Sequence, residues 1–195
     1  MKNYLQLKRF IAVIIIICIS IGLGFSINEA WTFIEKKTHP MEYSEIVSKY
    51  SAEFDVPEYV IYATIKVESG FDPLAISNAG ALGLMQMMPS TFEWLTGEEH
   101  LGEHLSTKDI DDPEVSIRYG TYYLSYLYKK FNYKWDTAFA AYNGGEGNVA
   151  KWLNDSDYSD GNGGLKNIPF TETRSYVKKI NSAIEVYKRL YFGNI

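Results

Sequence analysis

Residues 68–89 read Glu68-Ser69-Gly70-Phe71-Asp72-Pro73-Leu74-Ala75-Ile76-Ser77-Asn78-Ala79-Gly80-Ala81-Leu82-Gly83-Leu84-Met85-Gln86-Met87-Met88-Pro89. The stretch leaves a helix and enters a turn-rich segment. Upstream, Pro57 to Ser69 puts Ile61, Ile65 and Glu68 on one helical stripe with Thr64 beside them, and Gly70 ends the helix. Glu68 thus stands at a helix C-terminus, which is partially negative, and among apolar neighbours that remove solvation. Both effects raise a carboxyl pKa, as a proton donor near neutrality requires. The same position also suits a Glu at the edge of the stripe that swings into water. Gly80 to Pro89 sets small residues against methionines. Small residues let backbone approach a ligand or a second helix, and Gln86 offers a donor and an acceptor to a polar ligand. A tight turn followed by Met-rich core packing fits those residues equally well.

Outward from this stretch the pattern is helical. Tyr43 to Phe54 has helical spacing at Ile46, Val47 and Tyr50, and Asp55-Val56-Pro57 supplies a stop and a restart. Ser90 is expected to cap a helix through Leu95. Asp112-Pro113-Glu114 is a cap, a first-turn proline and an acid, predicting a helix to about Phe131 with Leu124, Leu127 and Phe131 buried. Trp135 to Tyr142 predicts a short apolar helix stopped by Asn143-Gly144-Gly145. Asn154 to Asn167 reads as a polar, Gly-rich loop, and Thr171 starts a last helix reaching about Tyr191. Period-2 alternation is nearly absent, so the fold class is mostly α.

The N-terminus is different in kind. Residues 10–27 carry no charge and include Ile14-Ile15-Ile16-Ile17; as a helix at about 1.5 Å per residue they can cross a bilayer core. Lys2, Lys8 and Arg9 precede the run, and Lys36 and Lys37 follow it. No good cleavage site appears, since Ser20-Ile21-Gly22 and Gly24-Phe25-Ser26 fit poorly. We read an uncleaved, single-pass transmembrane anchor over 10–27, with residues 1–9 cytoplasmic, 28–40 a juxtamembrane linker carrying Trp31 and Phe33, and 41–195 an extracytoplasmic domain on the cell-wall side of the membrane. A cleaved signal peptide is the alternative.

Composition narrows the function classes. The 195 residues carry 19 Lys and Arg against 24 Asp and Glu, a net charge of -5. All three cations of residues 1–27 lie in the first nine positions, so the remainder carries 16 positive and 24 negative side chains, a net of -8. Such an acidic chain lacks the basic surface that nucleic acid requires, and no nucleic-acid partner is expected. A single cysteine, Cys18, excludes an internal disulfide and a Cys-based zinc cluster. His100 and His104 are four apart but without the Glu that zinc peptidases place beside the first. No metal and no cofactor are expected.

Taken together and in order, four segments resemble the soluble lytic transglycosylase (SLT) family. Glu68-Ser69, Ser77 and Gly80 to Pro89 resemble its first two motifs, Glu-Ser followed by Gly-x-x-Gly-Leu-Met-Gln-x-Met-Pro. Ala141-Tyr142-Asn143-Gly144-Gly145-Glu146-Gly147 resembles the third, Ala-Tyr-Asn-Ala-Gly-Pro-Gly, and Glu172-Thr173-Arg174-Ser175-Tyr176-Val177 the fourth. The resemblance implies a lysozyme-like, mostly helical domain with a cleft for peptidoglycan glycan strands, acting as a monomer. It implies non-hydrolytic cleavage of the MurNAc-β-1,4-GlcNAc bond to 1,6-anhydro-MurNAc ends, with Glu68 as both acid and base. By the same resemblance Ser77 helps orient substrate, Gln86 and Met88 match cleft positions, Tyr142 and Tyr176 match two tyrosines near the acid, and Asn143 contacts sugar or backbone. Glu172 suits bracing of the last helix better than catalysis.

Gly144 and Glu146 depart from the family's Ala and Pro. They imply a more flexible loop and an extra carboxylate near the site. Two other readings stay open. A hydrolytic muramidase on the same fold would usually add a second carboxylate, for which Asp72 and Glu146 are the candidates. A membrane-tethered, non-catalytic wall-binding module would need no buried acid.

Overall fold

The computed structural model describes residues 2–193, with side chains described from residue 14 onward. The basic flank of Lys2, Lys8 and Arg9 and the chain's last two residues fall outside the described side chains. The chain divides into two compact units, residues 1–40 and 41–195, each taken here by itself. The first is one helix, α1 (Lys2–Thr38). Within it Ile14–Thr38 has the length and apolarity of a membrane span, with mean hydropathy 1.8. Its apolar side chains, from Ile14 through Leu23, Phe25 and Ile27, are exposed. The helix runs unbroken through the residues expected as a linker, and no proline interrupts it before Pro40.

The second unit contains α2 (Ser44–Phe54), α3 (Glu58–Glu68), α4 (Pro89–Leu95), a 3₁₀ turn (Thr107–Asp111), α5 (Pro113–Lys130), α6 (Trp135–Gly144), α7 (Glu146–Leu153) and α8 (Thr171–Tyr187). Among the described residues there are only isolated β-bridges, Ile76 with Leu82, Leu82 with Met87, and Ser159 with Leu165. The mostly α expectation holds. α3 packs on α8, α2 on α5, and α6 on both α5 and α8. Ile61 and Ile65 of α3, Leu124 and Leu127 of α5, Phe139 of α6 and Ile180 of α8 are all buried in one core.

Local chemistry explains most boundaries. The Asp112 carboxylate accepts from Glu114 N and Val115 N, Pro113 takes the first helical position, and Lys129 and Lys130 fall in the last turn of α5. Cap, proline and charges all favour that helix. Three expectations need correction. α4 begins at Pro89, with Met88 in the flanking extended position, so Ser90 is inside the helix rather than its cap; the fixed φ of proline suits the first position. Residues 146–153 form α7, which the glycines around Glu146 concealed; Val149 and Trp152 are its buried residues. The last α-helix ends at Tyr187 and continues to Phe192 as a π-helical turn.

The turn-rich segment after α3 is fixed by close packing. Gly83 has φ +75°, and a Cβ there would lie 2.6 Å from Ile110 O and 3.0 Å from Ser116 Oγ. Only glycine allows this loop so close to the 3₁₀ turn and α5.

Candidate active site

Glu68 is the last residue of α3, and it is part-buried. Its Oε1 accepts a hydrogen bond of 2.5 Å from Tyr176 Oη on α8, 108 positions along the chain. Burial pushes the Glu68 carboxyl from its ordinary 4.5 up to about 7, while the Tyr176 hydrogen bond pulls it the other way. The first effect disfavours the charged form and the second favours it; burial wins. Tyr142, on α6, also faces this carboxyl. Burial, then the charge of Glu68, hold both tyrosine hydroxyls well above their ordinary 10. Both remain donors at neutral pH. Glu68, Tyr142 and Tyr176 therefore form one cluster, drawn from three helices.

A second cluster lies in the turn-rich loop. Gln86, with φ +48°, donates through Nε2 to Ala75 O and to Gly83 O, each at 2.9 Å. Its amide nitrogen is spent on holding the loop, and its carbonyl oxygen is the group it can offer a ligand. Ser77 Oγ accepts from Ala81 N at 3.0 Å, and Ser77 N donates to Ala81 O at the same distance. The expected substrate-orienting serine is thus also the brace of its own turn. Met88 stands at the start of α4 and is exposed, and Asn143 is exposed in the last turn of α6.

The backbone of one residue joins the two clusters. Met85 N donates to Ser116 Oγ on α5 at 3.2 Å, and Met85 O accepts from Tyr142 Oη at 2.7 Å. The methionine-rich loop is therefore clamped between α5 and α6. Ser116 and Tyr123, which packs on Tyr142 with ring centroids 5.4 Å apart, escaped the sequence reading. Ser116 could have been noticed as a hydroxyl four residues past Asp112, inside a helix, where serine is neutral to unfavourable without a partner. Tyr123 had no signal distinguishing it among 16 tyrosines.

The rival carboxylates are engaged elsewhere. Asp72 is exposed, and its Oδ1 accepts from Leu74 N. Glu146 pairs with Lys130 at 2.5 Å in the first turn of α7, where a negative charge is also favoured by the helix. Glu172 sits exposed in the first turn of α8. Gly144 packs against α8: a Cβ there would come 2.9 Å from Thr173 Oγ1 and 3.3 Å from Trp152. The expected loose loop is instead two helices, α6 and α7, joined at Gly145. Among the described residues no group of three or more His, Cys, Asp or Glu is arranged to hold a metal, and His100 Nδ1 meets Tyr122 Oη at 3.1 Å. A hollow of about 860 Å³ bordered by Asp136, Tyr158, Lys166 and Arg174 contains none of the expected site residues.

The family model described as "Transglycosylase SLT domain" matches residues 45–162. The soluble lytic murein transglycosylase of Escherichia coli (strain K12) is 34% identical over 168 residues, covering 86% of this chain and 26% of that protein. The membrane-bound lytic murein transglycosylase C of Pectobacterium atrosepticum is 31% identical over 178 residues, covering 80% of this chain and 49% of that protein. Among solved structures, an inactive mutant of the lytic transglycosylase Slt from Pseudomonas aeruginosa, with Gln in place of one Glu, overlaps with a TM-score of 0.70 at 34% identity. The overlap covers 79% of this chain and 25% of that one. The chain thus spans about a quarter of the length of the first curated relatives it matches. The helical domain has the lysozyme-like fold that the sequence motifs imply.

Proposed function

This chain belongs to the family of transglycosylase SLT domains, and from that premise we propose that it is a membrane-anchored lytic transglycosylase of peptidoglycan with Glu68 as its acid and base. The observation that carries the reading is the state of Glu68: a part-buried carboxyl raised to about 7 and held at one oxygen by Tyr176. Near neutral pH such a group populates both protonation states, which a residue that gives and then takes a proton must do. Glu68 protonates the glycosidic oxygen as the bond to the muramyl anomeric carbon breaks. The carboxylate then removes the proton of the muramyl 6-hydroxyl, whose oxygen bonds to that carbon and closes the 1,6-anhydro ring. No water is consumed, and Glu68 ends as it began.

Tyr176, by occupying Oε1, leaves Oε2 to carry the mobile proton. Tyr142 fixes the Met85 peptide beside it, while the Gln86 carbonyl, Met88, Ser77 and Asn143 offer contacts to the sugars. The inactive mutant of the Pseudomonas relative, in which a Glu is replaced, supports an essential Glu in this frame. The muramidase reading is weaker because Asp72 and Glu146 are committed to Leu74 N and Lys130. The apolar helix α1 supports a membrane anchor, as does the likeness to a membrane-bound relative, and the placement of the domain on the wall side is inferred from the basic residues before the apolar run.

The test reads products rather than rate. Purified wall is digested by the full-length chain in heavy-oxygen water, and the released muropeptides are weighed. Unlabelled anhydro ends are expected. Label at the muramyl anomeric carbon, abolished by Asp72→Asn or Glu146→Gln, would make the enzyme a hydrolase.

A further inference from the structure

The joint between α6 and α7 reads Gly144-Gly145-Glu146-Gly147, a backbone with little stiffness of its own. The SLT pattern has proline where this chain has Glu146. The backbone is still shaped for one. Gly145 has ψ 134°, the extended value that a residue before proline takes. Glu146 is the first residue of α7, where proline's fixed φ suits the helix and its missing N–H removes no helical bond. The chain therefore lacks a restraint that its own geometry would accept.

Side chains supply restraint instead. Asn148 Nδ2 donates to Gly144 O at 2.8 Å across the joint. Lys130 Nζ donates to Glu146 Oε1 at 2.5 Å and to Tyr126 Oη at 2.9 Å. Lys130 ends α5 and Glu146 begins α7, so each charge sits at the helix end that favours it. Tyr123 of α5 packs on Tyr142 of α6 with ring centroids 5.4 Å apart. Burial, then the charge of Glu146, hold the Tyr123 hydroxyl above its ordinary 10, which puts the carboxylate near that contact. Tyr142 is in turn the side chain that holds Met85 O and faces Glu68. The ion pair thus fastens α5 to the α6–α7 joint close to the tyrosines that reach the acid.

We propose that the Glu146–Lys130 pair is an ionic brace that stands in for the missing proline: it holds the α6–α7 joint against α5, keeps Tyr142 seated beside Glu68, and makes turnover sensitive to ionic strength. Glu146 is then a positioning residue that touches no substrate, and this role rests on the reading of Glu68 as the acid of a glycan-cleaving site. The Lys130 and Glu146 side chains are 39% and 30% exposed. Their pair is therefore worth about twofold to fivefold in an equilibrium. Salt also reaches it, since the screening length falls to about 3 Å at 1 M.

The experiment uses the full-length chain in detergent micelles and reads amide hydrogen exchange and glycan cleavage, each at low salt and at high salt. Gly145 N bonds to Ala141 O, and Asn148 N and Val149 N bond to Gly145 O. At low salt, Glu146→Gln and Lys130→Met should each speed exchange at these three amides by about twofold to fivefold. The double variant should be no worse than either single. Cleavage should lose kcat by a similar factor with KM unchanged, and every variant should still release unlabelled anhydro ends, which separates a positioning Glu146 from a water-activating one. Glu146→Pro should restore slow exchange and kcat, and should keep both at high salt where the wild-type chain loses them. Unchanged exchange in Glu146→Gln would overturn the brace, as would single losses that multiply in the double variant, and this cycle decides even if Glu146→Pro fails to fold. Faster exchange with an unchanged kcat would overturn the positioning role. Exchange needs no turnover, so a wild-type chain that released no anhydro ends would sink the transglycosylase reading separately.

Discussion

Replacing Glu68 by Gln should stabilise the protein at alkaline pH while abolishing its activity. The folded carboxyl sits at about 7 against an ordinary 4.5, so between those values the folded state holds a proton that the unfolded chain has released. Stability from this group is therefore full below pH 4.5 and is lost as pH rises towards 7. The interval, at about 1.4 kcal/mol per pH unit, amounts to about 3 kcal/mol. Glutamine keeps the size of the side chain and can accept from Tyr176 through its carbonyl oxygen, but it carries no charge to desolvate. Urea unfolding of both full-length chains, followed by tryptophan emission from pH 4 to pH 8.5, reads the difference directly. The two stabilities should coincide near pH 4 and separate progressively between about pH 4.5 and pH 7, with Glu68→Gln higher by about 3 kcal/mol at pH 8. Activity should fall at least about 10²-fold, the usual worth of a general acid. Equal stability at both ends of the range would show that Glu68 reaches solvent, and the proton-transfer role would lose its physical basis.

Two further perturbations follow from the same geometry. Tyr176→Phe removes the hydrogen bond that lowers the Glu68 pKa, so the alkaline limb of the activity profile should move to higher pH while kcat falls about tenfold, as for a hydrogen bond to a charged group; an unmoved limb would separate Tyr176 from the acid. Gly83→Ala forces a Cβ to 2.6 Å from Ile110 O at positive φ, so thermal unfolding should show a loss of about 2–4 kcal/mol, and an unchanged Tm would mean that the loop is looser than described.

What was legible in the sequence depended on whether the cause was local. Asp112-Pro113-Glu114 announced α5 because cap, proline and acid act within one turn. Pro57 and Gly70 framed α3 in the same way, and with it the end of the helix that carries Glu68. α7 is concealed because Gly145 reads as a helix stop and Gly147 opposes a helix by about 1 kcal/mol, while Val149 and Trp152 favour it only once a core exists to bury them. Ser77 was read through its family position, and its bond to Ala81 N came from the turn itself. The meeting of Tyr176 with Glu68 spans 108 positions, and no periodicity carries information over that distance. Only the motif resemblance put them on one page.

That division also explains the character of the site. Residues chosen by local rules build α3 and α8, and the packing of those helices then places a carboxyl where local rules would not keep it charged. A Glu at a helix C-terminus among Ile61 and Ile65 opposes folding above neutral pH, and Tyr176 offsets only part of that cost. Gln at position 68 would satisfy the fold better but cannot exchange a proton, and Asp would keep the carboxyl but fall one methylene short of Tyr176. The fold therefore bears a penalty at this position, which the proposed proton transfer would account for. Nearby groups act to hold the arrangement rather than to relieve it. Ser116 and Tyr142 pin the backbone N–H and C=O of Met85 from two helices, Gln86 ties its own loop, and Gly144 lets α6 approach Thr173 on the helix that carries Tyr176.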